Sequence, residues 1–173
     1  MLAATLTRWL SAGVLCAIGL LIAAAGLYAL SLVQVGQPWQ TVVAMLIIGI
    51  GTGLPWGLMD GLAISVVPKE RAGMAAGIFN TTRVASEGVA LAVTLAVLSA
   101  LVARHLPQHK ALDVSVIAQS LVMGNVQHAS ASLPVAVLRT AYIAGFNNLL
   151  QLLAGFTLLT AAAVLIFLGR RPI

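Results

Sequence analysis

The sequence predicts an all-α integral membrane protein with four spanning helices. Of its 173 residues, 61% are hydrophobic and only 8% are charged, against about 25% charged in ordinary soluble domains. Four apolar stretches each exceed the roughly 20 residues needed to cross a bilayer. The nine Lys and Arg residues gather loosely at the ends of these stretches. Inside lipid every backbone polar group must pair within its own segment, so the stretches are read as helices.

The first stretch covers residues 9–33. Arg8 precedes it, and its length of about 25 residues exceeds the roughly 7–15 of a signal-peptide core, so it is read as a retained span. Cys16 inside it reads as a small buried hydrophobe, and a single cysteine leaves no intramolecular disulfide. Gly36-Gln37-Pro38 turns the chain into a second stretch, residues 39–67. Trp9 and Trp39 suit interfacial anchors at the inner end of the first span and the outer end of the second. Pro68-Lys69-Glu70-Arg71 forms a charged turn, and the third stretch covers residues 72–103.

Residues 104–140 are the one sizeable polar excursion and are expected as an outward loop. Within it Asp113 is placed to cap a short helix through Met123, stopped by Gly124-Asn125. Ser132 and Pro134 mark a helix start leading into the fourth stretch, about residues 141–168. His105 and His109 are four apart, but Pro107 between them disfavours the helix that would align them as ligands. No metal or cofactor is expected. The organisation reads as one membrane domain, residues 1–173.

Arg8, Lys69, Arg71, Arg170 and Arg171 fall on one side of this arrangement, and Arg104, Lys110 and Arg139 on the other. The excess places both termini and the Lys69–Arg71 turn in the cytoplasm. Nucleic acid is not an expected partner despite the net charge of +5, because binders of it concentrate basic residues on one face.

Gly49, Gly53, Gly57 and Gly61 recur every four residues along the second span, and Gly73 and Gly77 repeat the spacing in the third. Such stripes let a neighbouring backbone approach closely. Pro55, taken as part of the stripe, is expected to kink the helix. A functional version adds that a smooth, kinked helix slides or rocks during a transport cycle.

Arg83 and Glu87 lie mid-span, and a charge at the bilayer centre costs roughly 2.5–3.5 kcal/mol on insertion scales. Asp60 is eight residues from Pro68 and Arg83 twelve from Arg71, depths of about 12 and 18 Å. Side chains tilt toward the N-terminus of their own helix, which brings these two heads toward one level. Arg83 and Glu87 also stand one turn apart on one face. The triad reads either as a static neutralised cluster or as a proton-coupled group, since desolvation favours the neutral acid. Trp56, Asn147, Asn148 and Gln151 are candidates to line a cavity or to bond between helices.

Gly51-Thr52-Gly53-Leu54-Pro55, Val67-Pro68-Lys69-Glu70-Arg71-Ala72-Gly73, Ala76-Gly77 and Asn80-Thr81-Thr82-Arg83 resemble the C-terminal region of major facilitator superfamily transporters. Within that superfamily they look most like the fourteen-helix drug:proton antiporter branch. The resemblance is sharp over residues 51–93 and loose over nearly the whole chain. It implies that the four spans correspond to the last four helices of a major facilitator fold, the second to fourth forming one three-helix repeat. It further implies a multi-pass protein of the cytoplasmic (inner) membrane. The second span would line the substrate cavity, and the third would sit between the two transporter halves.

The implied activity is proton-coupled efflux of small, hydrophobic or cationic compounds, in company with the remaining transporter helices or another copy of the chain. Glu87 departs from the pattern, because the family usually has glycine there, so the resemblance gives that carboxylate no role. Two other readings stay open: a self-contained four-helix oligomeric exporter, and a non-transporting membrane scaffold or assembly subunit. No nucleophile–base pair, metal cluster or phosphate-cradling loop is recognisable, so an enzyme is the least expected outcome.

Overall fold

The computed structural model describes residues 12–33, 36–65, 68, 71–107, 113–131 and 133–168, with the side chains of 12, 59–65, 128 and 168 excluded. These residues are helical, without strands: α1 (Ala12–Ser31), α2 (Pro38–Ser65), α3 (Ala72–His105), α4 (Val114–Val122), α5 (Val126–Ser130) and α6 (Val135–Leu168). Four of the helices, α1, α2, α3 and α6, are long and apolar enough to cross a membrane. The expected bounds hold to within a few residues, except that α6 begins at Val135 rather than near 141.

The residues fall into two compact units, Met1–Arg83 with Gln151–Ile173, and Val84–Leu150. In the first unit α1 and α2 pack as a hairpin. Its turn uses Gly36 at φ 107°, a left-handed conformation that a side chain would strain. Pro38 opens α2 where its missing N–H costs nothing, and the Gln37 carbonyl accepts the Thr41 N–H at 3.4 Å.

The seam of the hairpin is built from small residues. On α1 it uses Leu15, Gly19, Ala23 and Gly26, all buried. On α2 it uses Ala44, Ile47, Ile48, Gly51, Pro55 and Leu58, buried or half-buried. At 100° per residue, these α2 positions fall within about 60° of Gly51 on either side. A Cβ on Gly51 would collide with the backbone nitrogen of Ala23, and one on Gly19 would stand 2.6 Å from the Gly51 carbonyl oxygen and 2.8 Å from Pro55 Cδ.

Pro55 explains this geometry. It lacks the N–H that would bond the carbonyl four residues back, which is that of Gly51, and the oxygen so released faces Gly19. Only a residue without a Cβ fits there.

Two expectations are corrected by this packing. Gly49, Gly53 and Gly57 have nothing within 4 Å of a built Cβ, and neither do Gly73 and Gly77. Among the described residues the stripe on α2 is therefore not the face that packs against α1. Pro55 does not share its face either: it stands two residues from Gly53, about 200° around the helix, and is buried against α1. The side chain of Gly61's segment lies outside the described residues.

In the second unit Gly145 of α6 abuts Val102 of α3, with a built Cβ 2.7 Å from Val102 Cγ2 and 2.9 Å from its backbone nitrogen. Leu98, Val102, Leu106, Ile117, Ala118, Leu138 and Ala141 are buried there. The expected outward loop is largely helical. Asp113 precedes α4 as foreseen, yet its carboxylate accepts a hydrogen bond from the Ser115 hydroxyl at 2.7 Å and makes no side-chain cap. Gly124 ends α4 at φ 82°. The Gly124 N–H bonds Leu121 and the Asn125 N–H bonds Ser120, which together close the last turn of the helix. α5 follows at once. Pro134 starts α6, its carbonyl accepting the N–H groups of Val137 and Leu138.

Candidate functional site

The face of α2 opposite the seam carries Trp56 and the position of Asp60. Measured around the helix from Gly51, Val42, Gly49, Gly53, Trp56 and position 60 all lie within about 40° of the opposite pole. The helix is thus two-faced. One side is committed to α1, and the other presents bare backbone, an indole and the position of Asp60.

Threonine hydroxyls are satisfied within their own helices, which removes their cost in an apolar setting. Thr52 Oγ1 donates to the Ile48 carbonyl at 3.0 Å. Thr81 and Thr82 donate to Gly77 and Ile78, each at 2.9 Å. Ser31, the one buried polar residue among the described residues, donates to the Tyr28 carbonyl at 2.7 Å.

The central contact of this face joins α2 to α3. The Arg83 guanidinium carbon lies 4.2 Å from the centroid of the Trp56 ring, well inside the roughly 6 Å range over which a cation is attracted to a ring face. Trp56 is 54% exposed and Arg83 is half-buried. The sequence held a signal for this pair that a search for carboxylates passes over. Trp56 is twelve residues before Pro68 and Arg83 twelve after Arg71, so both lie about 18 Å from the same turn. Asp60 is a full turn shallower. Equal depth finds the indole, whereas opposite charge alone points to the acid.

The remaining candidates stand on α2, α3 and α6. Asp60 stands on α2 with its side chain outside the described residues, so its pairing with Arg83 falls there too. Glu87 is exposed on α3 and belongs to the second unit. Asn147 is half-buried, whereas Asn148 and Gln151 are exposed. His105 Nδ1 bonds the Leu101 carbonyl of its own helix at 2.9 Å, and His109 lies outside the described residues.

On the same α2 face, beginning about 9 Å along the axis from Trp56, lies an open apolar trough of about 460 Å³, lined by Val42, Met45, Leu46, Gly49 and Ile50. It was not foreseen, because each lining residue looks like ordinary lipid-facing apolar surface in sequence. No protein-family model matches the chain, and no curated protein or solved structure matches it.

Proposed function

We propose that the chain is part of a proton-coupled efflux transporter of the major facilitator type, exporting small, hydrophobic or cationic compounds across the cytoplasmic membrane. The observation that carries this reading is α3. It is 34 residues long, yet only 6% of its apolar span is buried. Asn80, Ser86 and Glu87 are exposed around its middle, and Arg83 is half-buried there. Ionised groups at that depth are costly against lipid. A helix of this composition fits a pathway or an interface with further helices, the place that the likeness of residues 51–93 to such transporters assigns to it. Both termini are cytoplasmic in this reading, and residues 105–140 face outward.

Inverted inner-membrane vesicles containing the chain test it. Adding a fluorescent lipophilic cation to energised vesicles should collapse part of the pH gradient, and Glu87→Gln should uncouple dye uptake from proton exit. Dye and proton movement indifferent to both Glu87→Gln and Arg83→Gln, with the protein inserted, would leave a scaffold as the better reading. A cysteine at position 109 should react from the outer face alone, and labelling only from the cytoplasm would overturn the orientation.

A further inference from the structure

We propose that the exposed face of α2 binds an elongated amphiphilic cation, with Trp56 as the residue that selects its head and Arg83 as that head's built-in competitor. The inference rests on the transporter reading for what the site accomplishes, though not for whether it binds.

The Trp56 ring already holds a flat, delocalised cation, the Arg83 guanidinium 4.2 Å from its centroid. An indole face is the strongest aromatic partner for such a charge, and this ring is exposed enough to be reached. The trough of Val42, Met45, Leu46, Gly49 and Ile50 offers an apolar bed on the same face. Its near end, Ile50, is six residues from Trp56, about 9 Å along the axis. Gly53 lies between them, with nothing within 4 Å of where its Cβ would stand.

The parts therefore follow in the order of an amphiphile: bed for the tail, bare floor for the stem, ring for the head. A ligand of this class takes the indole face from Arg83. A neutral amphiphile gains the trough alone and has no means of displacing the guanidinium.

The test uses the full chain in lipid nanodiscs, with Trp9→Phe and Trp39→Phe so that Trp56 is the only emitter. The probe is octylguanidinium, and octanol at equal membrane concentration is the control. Octylguanidinium should shift Trp56 emission saturably, and octanol should not. Arg83→Gln, which removes the competitor and its repulsion, should lower the half-saturating concentration about three- to tenfold. This gain cannot arise from misfolding. Gly53→Leu should raise that concentration while leaving thermal melting unchanged.

Indistinguishable octanol and octylguanidinium responses would overturn the proposal, as would unchanged or weaker binding in Arg83→Gln. Disulfide formation between copies through Gly53→Cys would also overturn it, by assigning the face to a second copy. Binding without transport would count against the transporter reading and leave the site standing. Cation transport undiminished in Trp56→Leu would do the reverse.

Discussion

Gly51 and Gly53 stand two residues apart on α2 and face opposite ways. Gly51 lies against the backbone of α1, whereas Gly53 meets nothing within 4 Å. Their chemistry is identical, so a glycine's meaning here is set by which neighbours share its side of the helix. Around Gly51 those neighbours are Ala44, Pro55 and Leu58, an apolar series at seven- and three- to four-residue spacing. Around Gly53 they are Gly49, Trp56 and the position of Asp60, a series that mixes bare backbone with an aromatic ring. Close packing in lipid wants the first kind of face. The second kind suits a surface that something else visits.

The largest effect should come from Gly51→Leu, because the branch would be driven into the backbone of Ala23 and Gly19. Overpacking a tight core costs about 1–3 kcal/mol and occasionally more, and here the obstacle is main chain on both sides. Unfolding in a denaturing detergent titration should show the α1–α2 hairpin lost or weakened by at least that amount. Wild-type stability in this variant would mean that the seam is not where the contacts place it.

Gly19→Ala should come next, and it carries an internal check. Its Cβ meets the Gly51 carbonyl and the Pro55 ring, both consequences of the proline. Pro55→Ala removes the ring and supplies the carbonyl with an intrahelical donor. The two substitutions should therefore be non-additive, with Gly19→Ala costing less on the Pro55→Ala background. Additive losses, measured by the same titration, would sever the link between the proline and the glycine opposite it.

The four spans were legible because length, hydropathy and Gly/Pro punctuation act locally. Asp113, Gly124 and Pro134 bounded helices where local rules put them. What was not legible is which side of each span meets a neighbour. Period-four glycines at 49, 53 and 57 look like a packing stripe in any one-dimensional reading. The true seam is marked by Gly19, Ala23 and Gly26 on one helix against Gly51 and Pro55 on the other, a match that appears only when two segments are laid side by side. The same holds for Trp56 and Arg83: residues of different type, 27 positions apart, are joined by equal depth rather than by complementary charge.

On the open face the expected effects are smaller. Trp56→Leu removes a cation–π contact of about 0.5–1 kcal/mol where exposed and about 2 where desolvated. A double-mutant cycle separates this from mere loss of the indole. Arg83→Gln should cost less in the Trp56→Leu background than in the native chain, by about that coupling. Zero coupling would reduce the pair to proximity. A larger coupling in the corresponding cycle with Asp60→Asn or Glu87→Gln would assign the guanidinium chiefly to that carboxylate.

The smallest effect is the one that most sharpens the contrast. Gly53→Ala adds a methyl group where nothing lies within 4 Å, so no packing penalty arises. Glycine inside a helix is about 0.8–1.0 kcal/mol less favourable than alanine in water, and replacing it also narrows the unfolded ensemble. The hairpin should therefore be unchanged or slightly firmer by detergent titration, while Gly51→Ala, with the same added atom, is weakened. The two variants differ in nothing but the face they decorate. Equal damage from both would mean that another helix, or a second copy of the chain, covers the Gly53 side as tightly as α1 covers the Gly51 side. That result would remove the open face, and with it the room for a ligand beside Trp56.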